Sequence, residues 1–188
     1  MIKAIIFDCF GVVISDTLQI AYESLGGDFY KDLDKIKVAL LASDKGETPS
    51  SHPAIANLLG VSESTYVTAL SSGRVVNQQL LNYINDELRT NYKVGMLSNV
   101  GKARLPVIFG EGFLENYFDE VIASGDIGFA KPEARAYEIA ADSLKVRLDE
   151  CLFIDDRVEY IEGAVRVGMQ TILFENFDNF KEQLEKLI

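Results

Sequence analysis

Polar side chains that could do chemistry follow apolar, strand-like runs of the sequence. Asp8 ends the run at residues 4–7, and Asp155 and Asp156 end the run at 151–154. The other such side chains, which follow or lie beyond later runs, are those of Ser98, Asn99 and Lys131. Carboxylates that converge from two strands suit a hard cation such as Mg²⁺. A lysine and a hydroxyl nearby suit an anionic group bound to that cation, so the pattern predicts a metal-assisted reaction at an anionic group.

Alternating strand-like and helix-like segments would carry these side chains to one place. Strands are predicted at 4–7, 93–97, 120–123, 151–154 and 170–174, and helices near 101–109, 132–144, 158–167 and 177–187. This alternation indicates an α/β protein with a parallel sheet and helices on both faces. The carboxyl ends of parallel strands share one edge, and ligands bind at that edge.

Residues 16–74 differ from the rest because they contain helical patterns and no strand. Helical periodicity covers 17–42, a short helix is predicted at 53–59, and another begins at Ser62. We interpret 16–74 as an inserted helical cap, with residues 1–15 and 75–188 forming the α/β core. The core begins again with an amphipathic helix at 75–89.

Composition excludes several classes of function. The 188 residues are 48% apolar, which is enough for one well-packed domain with a modest insert. A net charge of −11 disfavours nucleic-acid and anionic-membrane partners. Two cysteines without metal-site spacing predict reduced, buried thiols; for Cys9 in particular we expect a packing role. No signal peptide or membrane span is recognisable, so a cytoplasmic protein is expected.

Four motifs, in this order and each at a strand end or the loop beyond it, resemble those of the haloacid dehalogenase superfamily. They are DxxGV beginning at Asp8, SN at Ser98-Asn99, KP at Lys131-Pro132, and DD at Asp155-Asp156 followed by EGA at 162–164. The resemblance covers nearly the whole chain. It implies a Rossmann-like, doubly wound parallel sheet with a small all-helical cap of the C1 type. The later motifs are most similar to a subgroup that includes sugar-phosphate phosphatases and the phosphatase domain of epoxide hydrolases.

The resemblance also implies roles for individual residues. Asp8 would attack phosphorus and form an aspartyl-phosphate, assisted by Mg²⁺. The metal ligands would be Asp8, the backbone carbonyl of Phe10 and Asp156, with Asp155 as a second candidate or a supporting residue. The remaining catalytic residues would be Ser98, Asn99 and Lys131. Ser98 would donate a hydrogen bond to a phosphoryl oxygen with help from the backbone N–H of Asn99, and Lys131 would neutralise charge on the transferring group. The substrate would be a small phosphorylated metabolite.

Two departures from the family pattern leave alternatives open. Phe10 stands where related phosphatases carry a second aspartate that transfers protons, and Tyr160 stands where they often carry Asn or Asp. Phe10 leaves open the alternative of a metal-independent, dehalogenase-like hydrolase. Phe10 and Tyr160 together leave open the alternative of a catalytically weak binding or regulatory protein. Asp155-Asp156 favours the metal-dependent phosphatase, because adjacent acids beside an anionic substrate require a cation.

Two basic residues of the predicted cap region are expected to be solvated. His52, the only histidine, falls in a polar segment and is interpreted as a surface residue in preference to a substrate contact. Arg74 falls at the junction of cap and core and is interpreted as a solvated hinge residue, with substrate contact as the alternative. The sequence leaves the substrate and the oligomeric state open.

Overall fold

A five-stranded parallel sheet forms the centre of the protein in a computed structural model that describes residues 1–101 and 103–188. The strands are β1 (Ala4–Phe7), β2 (Lys93–Ser98), β3 (Glu120–Ala123), β4 (Cys151–Asp155) and β5 (Gln170–Leu173). Their order across the sheet is β3-β2-β1-β4-β5. All four residues of β1 are buried, as a central strand covered on both faces requires.

Helices surround this sheet and fill the connections between its strands. They are α1 (Leu18–Ser24), α2 (Phe29–Asp44), α3 (His52–Leu59), α4 (Glu63–Ser72), α5 (Gln78–Tyr83), α6 (Arg104–Phe109), α7 (Ser124–Ile127), α8 (Ala134–Ser143), α9 (Val158–Arg166) and α10 (Phe177–Glu185). Short 3₁₀ turns occupy Leu114–Asn116 and Leu148–Glu150. The α/β class, the parallel sheet and the flanking helices confirm the prediction from sequence.

Alternate residues of β1 point to two separate cores. Ile5 and Phe7 belong to a cluster that includes Phe180 of α10. Ala4 and Ile6 belong to a second cluster that includes Tyr137 of α8. The alternation of side chains along a strand therefore buries both faces of the sheet.

Residues 18–72 form a helical segment with its own small core, which we call the helical insert. Buried side chains from all four of its helices pack together, among them Tyr22, Ile36, Ile55 and Tyr66. The segments that leave and rejoin the sheet-bearing part lie side by side. The Ser15 N–H donates to the Val75 carbonyl over 3.0 Å, and the Val75 N–H donates to Ser15 Oγ over 2.8 Å.

Two long helical predictions are divided in the structure. The run at 17–42 separates into α1 and α2 at Gly26-Gly27, where Gly26 has a φ of +87° that favours glycine. The predicted helix at 75–89 is α5 followed by a π-helical turn at Ile84–Leu88. The prediction near 101–109 includes Lys102, which lies outside the described residues. In residues 1–101 and 103–188, no helix combines the length and apolarity needed to cross a membrane.

Candidate active site

A buried lysine joins two carboxylates at the carboxyl edge of the sheet. Asp8 directly follows β1, and Asp155 ends the neighbouring strand β4. The Lys131 ammonium group donates to Asp8 Oδ1 over 2.5 Å and to Asp155 Oδ2 over 2.7 Å. The exposed fractions are 2% for Lys131, 5% for Asp8 and 0% for Asp155. This arrangement brings together residues 123 positions apart in the chain, as the predicted sheet edge requires.

Burial and charge act against each other in this group. Burial raises the pKa of Asp8 to about 7, although the Lys131 cation opposes the shift. Burial also disfavours the charged form of Lys131, but the attraction of Asp8 and Asp155 prevails and raises the pKa of Lys131. Lys131 therefore remains a cation, and Nζ also lies 4.9 Å from the centre of the Tyr160 ring.

A third carboxylate, that of Asp156, stands beside this pair. Oxygen atoms of Asp8, Asp155 and Asp156 lie within 4.8 Å of one another. Both Asp155 oxygens are occupied, because Oδ2 binds Lys131 and Oδ1 accepts from the Arg157 backbone N–H over 2.9 Å. Asp156 Oδ1, by contrast, is buried and has no hydrogen-bond partner within the described part of the chain.

The unpartnered oxygen of Asp156 fits a cation site. A buried polar atom without a partner is uncommon in folded proteins and signals a missing ligand, water or ion. The turn after Asp8 leaves room for this carboxylate only because residue 11 is glycine. A Cβ atom at Gly11 would overlap the Asp156 carboxylate, and its φ of +88° also favours glycine. Three carboxylates beside one lysine suit an additional hard cation such as Mg²⁺.

The two predicted donors at the end of β2, Ser98 within the strand and Asn99 just after it, have different surroundings. Ser98 is fully buried, and its Oγ has no hydrogen-bond partner among residues 1–101 and 103–188. The Asn99 amide holds the lysine loop: Nδ2 donates to the Lys131 carbonyl over 2.9 Å, and Oδ1 accepts from the Lys131 N–H over 2.8 Å. The Asn99 side chain therefore positions Lys131, a contact that the motif alone did not indicate.

A cavity of about 150 Å³ opens onto Asp8. Its walls come from the sheet edge and from the helical insert, and include Phe10, Leu40, Tyr66, Asn99 and Tyr160. Phe10 packs against the core under the sheet and lines the cavity, so an aromatic ring occupies part of the space beside Asp8. Cys9 is completely buried in that core, which confirms the expected packing role.

The structure corrects the interpretation of two basic residues. His52 is half-buried at the start of α3 and lines the cavity, with its ring centre 5.7 Å from that of Tyr66. Arg74 is also half-buried in the cavity wall, and its Nε is buried without a hydrogen-bond partner in the described residues. The surface and solvated-hinge interpretations were wrong, because both side chains lie in the wall of the cavity between the helical insert and the sheet edge.

Sequence reasoning missed several residues of the cavity. Asp44 at the end of α2 is half-buried there, and burial raises its pKa to about 7. Arg104 lies at the start of α6. Tyr160, which the sequence marked only as a departure from the family pattern, accepts hydrogen bonds from Asn99 Nδ2 over 3.3 Å and from Arg157 over 3.0 Å. No local pattern marks Asp44 or Arg104, because the packing of the insert on the sheet brings them together.

Known proteins resemble this chain in sequence. The haloacid dehalogenase-like hydrolase family matches residues 2–168. D-ribitol-5-phosphate phosphatase of Bacteroides thetaiotaomicron is 28% identical over 205 residues, covering 100% of this chain and 99% of that protein. A phosphatase of Mycobacterium tuberculosis is 37% identical over 93 residues, which cover 48% of this chain. The chain spans less than half the length of several curated relatives that it matches, including 42% of this phosphatase.

A solved structure has the same fold. It is that of a HAD family enzyme from Bacteroides thetaiotaomicron in complex with magnesium and inorganic phosphate. The TM-score is 0.75 at 24% identity, and the match covers 96% of this chain and 99% of that one. These matches confirm the resemblance that the four motifs indicate. Because the family match extends over most of the chain and includes each of the four motifs, the protein belongs to the haloacid dehalogenase-like hydrolases.

Proposed function

We propose that this hydrolase is a Mg²⁺-dependent phosphatase of small phosphorylated metabolites that reacts through an aspartyl-phosphate on Asp8. The observation that carries the proposal is the group of Asp8, Lys131, Asp155 and Asp156, of which Asp8 lines a small cavity. Phosphatases among the relatives, including one that matches the whole chain, support the same reaction class. The cavity volume of about 150 Å³ favours a small substrate, because pockets for larger ligands typically exceed ~300 Å³.

In this proposal, Mg²⁺ would be held by Asp8, Asp156 and the backbone carbonyl of Phe10, with Asp155 in support. The free Oδ1 of Asp156 supports its assignment as a ligand, and the two occupied oxygens of Asp155 support the secondary role. A structure of similar fold contains magnesium and phosphate. When bound, the ion would act as a Lewis acid and neutralise charge on the phosphoryl group.

The protein's own residues would then perform the transfer in two steps. An Asp8 carboxylate oxygen forms a bond to phosphorus while the bond from phosphorus to the ester oxygen breaks, releasing the alcohol. Water then attacks the aspartyl-phosphate, regenerating Asp8 and releasing phosphate. Lys131 holds Asp8 in place and balances charge on the transferring group. Ser98 Oγ, which has no partner in the described structure, would donate to a phosphoryl oxygen.

Proton transfer to the leaving alcohol is the weak point of this site. Phe10 cannot donate a proton, and general acid–base assistance is typically worth ~10²–10⁴ in rate. We therefore expect esters of acidic alcohols, which leave without protonation, to react much faster than esters of ordinary alcohols.

We further propose that residues 16–74 act as the cap that closes over the substrate, since the helical insert supplies one wall of the cavity.

The test is phosphate release from an activated aryl phosphate, with and without Mg²⁺. We compare the wild type with Asp8→Asn and with Asp178→Asn, a control that removes an exposed carboxylate from α10. We expect Mg²⁺-dependent turnover in the wild type and in the control, and none in Asp8→Asn with an unchanged circular dichroism spectrum. Full activity of Asp8→Asn would disprove the mechanism.

The same assay separates the alternatives. Metal-independent halide release from a 2-haloacid, without phosphate release from any ester, would establish a dehalogenase-like enzyme instead. Inactivity in both assays at ordinary enzyme concentrations would favour a catalytically weak binding or regulatory protein. The unpartnered carboxylate of Asp156 argues against the dehalogenase, because without a metal it would repel an anionic 2-haloacid.

A further inference from the structure

A group of basic side chains lines the cavity but takes no part in the phosphoryl transfer proposed above. It consists of Arg74, Arg104 and His52, which we call the basic cluster. Arg74 lies where the helical insert rejoins the sheet-bearing part, Arg104 begins α6, and His52 begins α3. The Arg104 Nη2 lies 3.3 Å from His52 Nε2 and 3.4 Å from Nδ1. Two helix starts and one connecting segment therefore bring basic residues to one cavity.

The two guanidinium groups of the basic cluster lack acidic partners. Among residues 1–101 and 103–188, neither Arg74 nor Arg104 forms a salt bridge, whereas Arg89, Arg135 and Arg147 each do. Arg74 Nε is also buried without a hydrogen-bond partner. Holding a partly buried cation without a partner costs free energy that a bound anion would recover.

The carboxylates that share the cavity do not satisfy these cations. Asp16 lies near Arg74, but its Oδ1 accepts from the Leu18 backbone N–H over 2.9 Å. Asp44 forms no salt bridge in the described residues, and the charges that lower its pKa are those of Lys131 and Arg157. Burial, with help from Arg104 and Arg74, lowers the pKa of His52 to about 4, so the imidazole is neutral at pH 7. The neutral ring can accept a hydrogen bond from Arg104 and leaves the guanidinium groups as the cations of the cluster.

We propose that Arg74 and Arg104 bind a second anionic group of the substrate, which makes the substrate a small phosphate monoester with an additional carboxylate or phosphate. The proposal rests on the proposed phosphatase function and names the substrate class of the same site. Guanidinium groups are suited to it because their planar N–H forks match both kinds of anion. In a chain of net charge −11, two cations without acidic partners in one small cavity select for such a group.

The test compares three esters that differ only at the second group. They are 2-hydroxyethyl phosphate, phosphoglycolate and ethane-1,2-diol bisphosphate. We measure kcat/KM with Mg²⁺ for the wild type, Arg74→Gln and Arg104→Gln. Arg166→Gln is the matched control, since it removes the same charge from an exposed position outside the cavity. The carboxylate and phosphate compounds distinguish the two possible second groups.

We expect the wild type and Arg166→Gln to prefer at least one doubly anionic ester by about 10- to 100-fold, the range for hydrogen bonds to charged groups. Arg74→Gln and Arg104→Gln should each lose most of that preference. No preference in the wild type, or a preference that survives both substitutions, would overturn the proposal.

A binding measurement separates failure of this proposal from failure of the phosphatase mechanism. Calorimetry in the Asp8→Asn background, with Mg²⁺ present, compares phosphoglycolate and ethane-1,2-diol bisphosphate with 2-hydroxyethyl phosphate and needs no turnover. Preferential binding of either doubly anionic compound that depends on Arg74 would support the second-anion site even if no ester is hydrolysed. Equal binding of all three compounds would refute it even if the aryl phosphate is a substrate.

Discussion

Replacement of Lys131 by methionine tests whether the buried charged group holds the active site together. The substitution keeps a long side chain but removes the ammonium group that binds Asp8 Oδ1 over 2.5 Å and Asp155 Oδ2 over 2.7 Å. Both carboxylates are at least 95% buried, so little water can replace the lost partner. The variant therefore leaves two buried negative charges beside each other.

The expected loss of stability is large for a single substitution. Removing one partner from a buried ion pair typically costs about 3–5 kcal/mol. For a chain of this length each kcal/mol lowers Tm by roughly 2–4 °C, so Tm should fall by about 6–20 °C. Lys186→Met is the matched control, because Lys186 binds Glu182 over 2.8 Å with both side chains about 70% exposed. An exposed pair of that kind contributes at most ~1 kcal/mol.

The stability lost in Lys131→Met should depend on pH, and the surroundings of Asp8 determine whether the loss grows or shrinks as pH rises. Burial already raises the folded-state pKa of Asp8 from 3.8 to about 7, and loss of the lysine raises it further. A carboxyl group with a raised folded-state pKa binds more protons when folded, so its stability contribution falls as pH rises from 3.8 through the folded value. We expect Lys131→Met to differ least from the wild type near pH 5 and most near pH 8.

Thermal and urea unfolding in a chelating buffer, at about pH 5 and pH 8, measures both effects without interference from metal ions. Adding Asp8→Asn to Lys131→Met should recover part of the loss, since it removes one of the two unpaired charges. The reasoning is refuted if Lys131→Met is no less stable than Lys186→Met. It is also refuted if the deficit is the same at both pH values.

Two further predictions concern the metal site and the cavity acid. Gly11→Ala should weaken Mg²⁺ binding in calorimetry at least tenfold, because its Cβ would displace the Asp156 carboxylate. Gly60→Ala is the control: Gly60 also has a positive φ, of +68°, but a Cβ added there would meet no atom within 4 Å, so Mg²⁺ affinity should not change. Equal affinities in the two variants would contradict this reading of Gly11. Asp44→Asn should stabilise the protein at pH 8 by an amount on the order of a few kcal/mol, but not at pH 4. Burial raises the pKa of Asp44 from 3.8 to about 7, so the carboxyl group of the wild type lowers the folding stability as pH rises from 3.8 to about 7. The measurement is the free energy of chemical unfolding at both pH values, with Asp34→Asn, an exposed position of the same helix, as the control. Equal effects of the two substitutions on stability at pH 8 would contradict the burial of the Asp44 carboxylate.

The sheet and its chemical edge were predictable because both follow from local sequence. The apolar run of β1 requires burial on both faces, and the carboxylate that ends it must then lie at the carboxyl edge. Asp155 and Lys131 could be assigned to the same place by the same reasoning. The direct contacts of the buried Lys131 ammonium group with Asp8 and Asp155 depend on tertiary structure and could not be predicted from sequence spacing.

The basic cluster could not be predicted, because its members are joined by packing of the helical insert on the sheet. Hydrophobic periodicity shows which face of a helix is buried, but not which residues from another element it meets. His52 lies 52 positions before Arg104 and looks like a loop residue in isolation. The Asn99 side chain illustrates the same limit, since the motif implied a role only for the Asn99 backbone N–H, whereas the amide side chain contacts Lys131 and Tyr160.

The paired segments at Ser15 and Val75 have a consequence for how this architecture varies. The chain enters the helical insert at Ser15 and returns from it at Val75, and these two residues are hydrogen-bonded to each other. The two ends of the insert are therefore held together on the sheet-bearing part as the ends of a hairpin turn would be. The entropy of holding those two ends together depends only weakly on the length of chain between them. Segments of very different size could be exchanged at this point without moving β1 or its carboxylate. Substrate choice can thus diverge while the reacting groups stay fixed.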